Sequence, residues 1–255
     1  MALEFFKYHG TGNDFIVVDD RHEQFECQNQ SLIQDLCDRH FGVGADGLIL
    51  IQNQAGVHFK MRYFNADGLP GSMCGNGGRC AVHLAKELGI IGQEGEFEAP
   101  DGRHHARMIN GKISISINDV SEIKPMEMGL FVDTGSPHVI CFYEDIADLD
   151  VDEIGRKMRQ EFSEQGANIN FVMQNHDGFK MRTYERGVEA ETLSCGTGAT
   201  AAAVAILETG RSQDSSIELN TRGGRLEVGL QKQGSTYKNV WLTGPVVQVY
   251  RGFIG

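Results

Sequence analysis

The chain has 255 residues and a formal net charge of −12, with 40% apolar and 23% charged residues, a globular composition with enough apolar side chain for a core. No cluster of Lys or Arg offers the basic face that nucleic acid or an anionic membrane requires, so we expect neither as a partner. The apolar runs are too short to span a bilayer and the first residues lack a signal sequence, so a cytoplasmic location is expected.

The first predicted helix begins at Ser31, because Ser31 followed by Gln34 forms a capping box. Its apolar face holds Leu32, Ile33, Leu36 and Cys37. The next segment, Gly42–Gly47, matches the G-x-G-x-x-G pattern of dinucleotide-binding loops. A strand is predicted directly after it at 48–51, where such a loop requires a helix, so the sequence argues against a dinucleotide site.

Two half-buried strands are predicted from alternating apolar and polar residues. Val57–Tyr63 alternates Val, Phe, Met and Tyr with His, Lys and Arg, and Lys112–Asn118 alternates isoleucines with serines. Each half of the chain is therefore expected to combine many strands with one long helix. This pattern predicts the α+β fold class.

Three features recur in the same order about 120 residues apart. They are the tetrapeptide FKMR, a cysteine followed by glycines and an alanine-rich helical stretch, and a strand turn. Chance rarely repeats three features at one spacing, so the repeat predicts two homologous domains with a boundary near 119–125. The tetrapeptide occurs at Phe59–Arg62 and Phe179–Arg182. The cysteine segments are Cys74–Gly78 and Cys195–Ala199, followed by the helical stretches Arg79–Gly89 and Thr200–Gly210. The strand turns are Ala99–Arg103 and Thr221–Arg225.

Cys74 and Cys195 each come directly before glycines and a predicted helix. The start of a helix presents N–H groups without helical acceptors, which favour a thiolate and bind carboxylates. Inversion of an amino-acid α-carbon needs a base on one face and an acid on the other, with stabilisation of the charge that develops on the carboxylate. Two such thiols therefore indicate an epimerase that requires no metal and no cofactor.

The other four cysteines, Cys27, Cys37, Cys80 and Cys141, are interpreted as inert apolar residues. The same interpretation is weaker for Cys74 and Cys195, because both halves place a cysteine at the same position of the repeat. From the repeat alone, catalysis by this pair is the favoured hypothesis over two structural thiols.

Six motifs in chain order resemble the diaminopimelate epimerase family and extend over nearly the whole chain. They are His9–Phe15 (HGTGNDF), Phe64–Gly68 (FNADG), Cys74–Arg79 (CGNGGR), Tyr184–Gly187 (YERG), Cys195–Gly198 (CGTG) and Leu242–Tyr250. The resemblance implies two pseudo-symmetric domains, each a β-barrel-like sheet around a central helix, with the active site in the cleft between them. The C-terminal strand is expected to return to the first domain, which gives domains 1–119 with 245–255, and 120–244.

The resemblance also implies roles for individual residues. Cys74 and Cys195 match the acid/base pair, while His138 and Ser136 match supporting positions near the reacting centre. Ser136 stands where familiar members have asparagine, and Gly47 where some have glutamine. The positions that match substrate ligands are Asn13, Asn65, Asn168, Glu185 and Arg186, with Gly75, Asn76, Gly196 and Thr197 in the carboxylate cradle.

The implied activity is interconversion of LL- and meso-diaminopimelate in lysine and peptidoglycan precursor synthesis, on a small amino-acid substrate and by a homodimer. Three alternatives remain open from the sequence. A proline or hydroxyproline racemase would share the two-cysteine chemistry. A non-catalytic amino-acid-binding protein would bind ligand without α-proton exchange. An isomerase of the same fold would use a carboxylate in place of the thiols, and the presence of both cysteines argues against it.

Overall fold

The computed structural model describes residues 3–160 and 166–254. The chain forms two compact units. The first ends at Ile115 and takes in the C-terminal segment from Gly244, and the second runs from Ser116 to Thr243. The boundaries expected from the sequence were 119/120 and 244/245. Within the described ranges, no helix is long and apolar enough to cross a bilayer.

The first part of the chain alternates strands with two helices. Its elements are β1 (Leu3–Gly10), β2 (Asn13–Asp19), α1 (Gln30–Cys37), β3 (Gly47–Gln52), β4 (Phe59–Asn65), α2 (Gly75–Glu87), β5 (Glu94–Ala99), β6 (Gly102–Ile109) and β7 (Lys112–Ile117). The strands predicted at 48–51, 57–63 and 112–118 correspond to β3, β4 and β7, so these predictions are confirmed.

The second part of the chain repeats this alternation and ends on a strand that belongs to the first unit. Its elements are β8 (Ile123–Met126), β9 (Gly129–Asp133), β10 (Pro137–Tyr143), α3 (Val151–Gln160), β11 (Asn168–Asn175), β12 (Gly178–Glu185), β13 (Ala190–Thr192), α4 (Gly196–Glu208), β14 (Ser216–Thr221), β15 (Gly224–Gln233), β16 (Thr236–Gly244) and β17 (Val247–Ile254). Strand β17 pairs antiparallel with β1.

The strand pairing is the same in both units. In the first, β1–β2 is antiparallel, β2–β3 parallel, β3–β4 antiparallel, β4–β5 parallel and β5–β6 antiparallel. In the second, the same sequence of pairings runs through β9, β10, β11, β12, β14 and β15. Each parallel pair needs a crossover, which a helix supplies in all four cases. The predicted α+β class with two pseudo-symmetric halves is confirmed.

The second helix of each unit lies in its core. Ten of the thirteen residues of α2 are buried, and ten of the thirteen of α4. A helix that is buried around most of its circumference must be covered on several sides. Helix α2 packs against β1 to β4, and α4 packs against β9, β10, β11, β14 and β15. The sheet of each unit therefore holds the start of its central helix in a fixed place.

The start of α1 corrects one prediction. Asn29, not Ser31, is the N-cap, and its side-chain oxygen accepts from the backbone N–H of Leu32 at 3.1 Å. Asparagine is at least as good an N-cap as serine and stands two residues earlier, so the helix begins there. The predicted apolar face is confirmed for Ile33, Leu36 and Cys37, which are buried, while Leu32 is partly buried.

Candidate active site

Helix α2 of the first unit begins at a cysteine, as predicted. Cys74 is the N-cap, and its Sγ accepts a hydrogen bond from the backbone N–H of Gly77 at 3.4 Å. Glycines favour helix poorly, so the cap and the burial of this turn stabilise the start. A β-carbon on Gly77 would lie 2.9 Å from Ile49 Cδ1. The glycine therefore lets the turn approach the sheet closely.

The side-chain amide of Asn13 faces the Cys74 sulfur. Its Oδ1 lies 3.6 Å from Sγ and accepts from Asn76 Nδ2 at 3.2 Å, while its Nδ2 donates to Asp46 Oδ2 at 2.7 Å. The opposite amide orientation would set Oδ1 against the Asp46 carboxylate, which only accepts. The structure thus brings the predicted residues Asn13, Cys74 and Asn76 together in the first unit.

A network of charges holds Asp46 in place. Arg39 donates from Nη2 to Asp46 Oδ1 at 2.6 Å and to Asp14 Oδ1 at 2.8 Å, and Lys7 donates to Asp14. Burial raises the pKa of the Asp14 carboxyl, but hydrogen bonds from Arg39 and Lys7 outweigh burial and lower the pKa to about 2. The Asp14 carboxylate is therefore ionised near neutral pH, and the ion pairs of Arg39 hold Asp46 where it fixes the Asn13 amide in one orientation.

Arg79 is a buried cation beneath the first turn of α2. Its side chain is fully buried and donates to Gly75 O at 3.2 Å, Asn76 Oδ1 at 2.8 Å and Thr11 Oγ1 at 3.5 Å. Burial lowers the pKa of Arg79 to about 10, which leaves the guanidinium charged at neutral pH. Its bond to Asn76 Oδ1 turns Asn76 Nδ2 towards Asn13.

Helix α4 of the second unit begins in the same way. Cys195 is its N-cap with φ −125° and ψ 117°, close to the −112° and 114° of Cys74, and its Sγ accepts from the N–H of Gly198 at 3.4 Å. Thr197 Oγ1 lies 3.5 Å from the same sulfur. The prediction that both cysteines stand directly before a helix is confirmed.

A chain of polar side chains, buried except at the partly buried Thr197, leads to the Cys195 sulfur. His138 Nε2 lies 3.1 Å from Thr197 Oγ1, and His138 Nδ1 lies 3.1 Å from Asn170 Nδ2. Thr183 donates to Asn170 Oδ1 at 3.0 Å. His138 is fully buried, and burial, aided by the positive charge of Arg186, lowers its pKa to about 3. His138 is therefore a neutral imidazole near neutral pH.

A second group of predicted residues meets at Asn168. Its Nδ2 donates to Ser136 Oγ at 3.1 Å and to Pro137 O at 3.0 Å, and its Oδ1 accepts from the backbone N–H of Arg186 at 2.9 Å. Ser136 is thus within hydrogen-bonding reach of Asn168. This arrangement orients the turn that carries Arg186.

Glu185 and Asn65 end two equivalent strands, β12 and β4. Glu185 Oε2 accepts from Thr192 Oγ1 at 2.9 Å. Asn65 is exposed, and its backbone carbonyl accepts from Gly68 in the turn that follows β4. The structure therefore places both at strand ends. Gly47, the other noted departure, has no room for a side chain, because a β-carbon there would lie 2.5 Å from Phe64 O.

The remaining cysteines have different surroundings. Burial raises the pKa of Cys37 to about 11 and that of Cys141 to about 12, and it raises the pKa of Cys80 further still. These three thiols stay protonated at neutral pH and react poorly. Cys27 is half-buried and accepts from Arg62 at 3.0 Å.

Other features of the described residues offer no alternative centre for the predicted chemistry. Among residues 3–160 and 166–254, no group of three or more His, Cys, Asp or Glu side chains is arranged to hold a metal ion. A cavity of about 650 Å³ in the second unit is lined by residues that include Glu144, Lys180 and Arg222. None of the predicted site residues lines this cavity.

Sequence reasoning missed several residues that surround the two sulfurs. Asn170 follows Asn168 by two positions on β11, so the two share a face of that strand, and this spacing was the available signal. Arg79 stood within the quoted CGNGGR motif but had no assigned role. Asp46 carried no signal, because its contact with Asn13 joins positions 33 residues apart.

Comparison with known proteins identifies the relatives of this chain. A family model described as diaminopimelate epimerase matches residues 5–129 and again residues 130–249. A diaminopimelate epimerase of Flavobacterium psychrophilum is 48% identical over 97% of this chain and 98% of that protein. The diaminopimelate epimerase of Aquifex aeolicus is 40% identical over 98% of this chain and 97% of its own length.

Solved structures share the fold at low sequence identity. A PhzF-family phenazine biosynthesis protein of Bacillus anthracis aligns with a TM-score of 0.80 at 15% identity, over 100% of this chain and 99% of that one. A hydroxyproline epimerase of Agrobacterium vitis aligns with a TM-score of 0.74 at 14% identity, over 99% and 92%. At these identities the likeness is one of fold.

The two matched repeats agree with the paired order of strands and with the cysteine-capped helix of each unit. Together with the relatives, they identify the protein as an epimerase, an enzyme of the isomerase class. The chain belongs to the diaminopimelate epimerase family.

Proposed function

We propose that the protein interconverts LL- and meso-diaminopimelate without a cofactor, with Cys74 and Cys195 as its two acid/base groups. The substrate is supported by relatives named for this activity, 48% and 40% identical over nearly the whole chain. The observation that carries the mechanism is that both homologous helices begin at a cysteine whose sulfur accepts an N–H of the first turn. The role is in lysine and peptidoglycan precursor synthesis, in the cytoplasm.

The reaction needs one thiolate and one thiol. The thiolate removes the α-proton from one face, and the thiol delivers a proton to the other, so one C–H bond breaks, one forms and no redox change occurs. The carbanion is stabilised by delocalisation into its carboxylate. The first-turn N–H groups of Gly75, Asn76, Gly196 and Thr197 are suited to this charge, because helix starts bind anions.

Diaminopimelate carries a second amino-acid centre, which needs its own ligands. Arg186 offers a guanidinium that can hold a carboxylate through two parallel hydrogen bonds. Glu185 offers a carboxylate to an ammonium group, and Asn13, Asn65 and Asn168 offer amides that both donate and accept. Asn168 Oδ1 also accepts from the backbone N–H of Arg186. We therefore assign Asn168 two roles, as a ligand of the substrate and as a support for the turn that carries Arg186.

Incubation of the reduced protein with LL-diaminopimelate in D2O tests this proposal. Without added cofactor, we expect deuterium at the α-carbon and the appearance of the meso isomer, both measured by NMR and chiral chromatography. The double variant Cys74→Ala, Cys195→Ala is the matched control and should show neither. Exchange of proline or hydroxyproline alone would make the protein a racemase of that type. Binding of diaminopimelate without exchange would make it a binding protein.

Exposed apolar side chains on β17 support the proposal of a homodimer. Val247, Val249, Tyr250 and Phe253 are 45%, 54%, 45% and 70% exposed. The pairing with β1 shifts register between Gln248 and Tyr250, so Val249 lies at a β-bulge, and these side chains form an apolar patch that is not confined to one face of the strand. An exposed apolar patch marks an interaction surface, and a second copy of the chain is the occupant that we propose.

The variant Val249→Glu is expected to shift the protein from dimer to monomer, because it places a charge in this apolar patch. Sedimentation velocity over a range of concentrations measures the change. The matched control is Val188→Glu, since Val188 is 57% exposed but lies in the second unit. A wild-type monomer at all concentrations, or equal behaviour of the two variants, would contradict the proposed interface.

A further inference from the structure

The side chains that face the two active-site sulfurs have opposite hydrogen-bonding polarity. Both sulfurs accept one N–H from the helix that they cap, at 3.4 Å in each case, so the helices themselves do not distinguish them. We propose that the resting enzyme holds its thiolate on Cys195 and its proton on Cys74, and that Asn170 is the positioning residue that fixes this difference. The inference deepens the two-cysteine mechanism proposed above and rests on it.

The orientation of the Asn170 amide is determined by its surroundings. Its Nδ2 lies within 3.3 Å of Val139 O and 3.4 Å of Asn168 O, which only accept, and its Oδ1 accepts from Thr183 at 3.0 Å. Because Nδ2 is a donor, the His138 Nδ1 that it contacts must be an acceptor. Neutral His138 then carries its hydrogen on Nε2.

This tautomer sets the direction of the two hydrogen bonds that connect His138, through Thr197, with the Cys195 sulfur. His138 Nε2–H donates to Thr197 Oγ1, which leaves the Thr197 hydroxyl hydrogen available for the Cys195 sulfur at 3.5 Å. A hydrogen bond donated to a sulfur stabilises its charged form. The chain from Asn170 to Cys195 therefore favours the thiolate.

The sulfur of Cys74 meets an acceptor instead. Asn13 Oδ1 lies 3.6 Å from it, and Asn13 cannot turn its amide, since its Nδ2 is held by Asp46. Arg79 strengthens the same orientation through Asn76, whose Nδ2 donates to Asn13 Oδ1. An amide oxygen stabilises the S–H form and repels a thiolate. The Cys74 environment therefore favours the thiol.

Charged and titratable groups lie around both sulfurs. On the Cys195 side, His138 is neutral and lies in the positive field of Arg186, and the Glu185 carboxylate accepts from Thr192. Around Cys74, the cation of Arg79 favours a thiolate, while the Cys80 thiol stays neutral. Lys7, Asp14, Arg39 and Asp46 compensate one another's charge in ion pairs, and the His9 ring accepts from Gly12.

The Glu185 carboxylate opposes a thiolate on Cys195, and the influence that favours a thiolate on Cys74 is Arg79. Within the described residues, its hydrogen bonds go to the oxygens of Gly75, Asn76 and Thr11, and these dipoles compensate part of its charge. It acts on the Cys74 sulfur only through space, whereas Asn13 Oδ1 faces that sulfur directly. Hydrogen-bonding polarity therefore decides the resting state.

Alkylation by iodoacetamide at a series of pH values, resolved for each cysteine by peptide mass spectrometry, tests the inference on the substrate-free wild-type protein. We expect the half-maximal rate for Cys195 at least about one pH unit below that for Cys74, the order that a hydrogen bond to a charged group produces. Equal midpoints, or a lower midpoint for Cys74, would overturn the inference. The result does not depend on the substrate, so it stands even if the protein does not act on diaminopimelate.

Variants distinguish a hydrogen-bond relay, which runs from Asn170 through His138 and Thr197 to Cys195, from a merely structural role of these residues. Thr197→Val removes the hydroxyl while keeping the shape. It should raise the midpoint, the pH of half-maximal alkylation, for Cys195 and leave the midpoint for Cys74 unchanged. Thr197→Ser keeps the hydroxyl and should restore the wild-type midpoint. Asn170→Leu frees the His138 tautomer and should shift Cys195 in the same direction as Thr197→Val. An unchanged Cys195 midpoint in Thr197→Val would overturn the relay even if Asn170→Leu does not fold.

Discussion

Replacement of Cys74 or Cys195 by alanine is expected to lower kcat for epimerisation by about a thousandfold, the order that a positioned general acid or base contributes. Each variant keeps one of the two groups, so neither can complete the inversion. The variant that keeps only Cys195 retains one sulfur that, as the thiolate, can remove a proton on a single face and, as the resulting thiol, return one to the same face. It should therefore exchange the α-proton of one stereoisomer with D2O without forming the other isomer, and the Cys195→Ala variant should show the reciprocal preference.

Steady-state kinetics and NMR of the exchanged substrate measure both effects. Cys27→Ala is the control, because Cys27 is a half-buried thiol that caps no helix, and its activity should stay within about twofold of wild type, as expected for a substitution outside the catalytic groups. More than a tenth of wild-type kcat in either catalytic variant would remove that cysteine from the acid/base pair. Exchange of both stereoisomers in one variant would also contradict the assignment of one thiol to each face.

Substitution of Gly198 by alanine is expected to lower kcat/KM by about a hundredfold, the order that a displacement of about 1 Å at a reacting group produces. A β-carbon at Gly198 would lie 2.5 Å from Asn170 Oδ1 and 3.3 Å from Cys195 Sγ. Neither neighbour can move without disturbing the site. A shift of Asn170 would displace the His138 imidazole, and a shift of Cys195 would disrupt the helix cap. The first turn of α4 must therefore shift.

Gly229→Ala is the matched control in the same unit, since its β-carbon would meet only Ser215 O at 4.0 Å. Kinetics, with thermal unfolding measured alongside, distinguish a displaced site from a destabilised fold. We expect Gly198→Ala to lose activity at temperatures well below its midpoint of unfolding. Wild-type kinetics in Gly198→Ala would show that the turn tolerates a side chain and that the contact with Asn170 is not required.

Local signals in the sequence predicted the parts of the site that depend on nearest neighbours. The cysteine before a glycine-rich turn predicted both helix starts, because an N-cap bonds to backbone within three residues of itself. The same kind of local reasoning was wrong at α1, where Asn29 competed with Ser31 two positions away. Nothing in the capping-box pattern ranks two candidates that stand this close together.

Roles that depend on distant contacts were not predictable in this way. Asn170 has its effect through His138, 32 residues earlier in the chain, and Asp46 through Asn13, 33 residues earlier. The alternation along β11 shows that Asn168 and Asn170 share a face, but it does not show that a histidine lies beside one and a serine beside the other. Pairing of β10 with β11 decides that.

The sequence by itself determined the class of fold, the duplication and the two cysteines that begin helices, because periodicity and the order of motifs along the chain encode them, and the resemblance of its motifs indicated the family. Only the tertiary structure decided what faces each sulfur. The two helix starts are alike in backbone and cap, so their difference comes from side chains on other strands, Asn13 on β2 and His138 and Asn170 on β10 and β11. Hydrogen-bond direction depends on the position of donors and acceptors in space, which sheet pairing sets and local sequence does not.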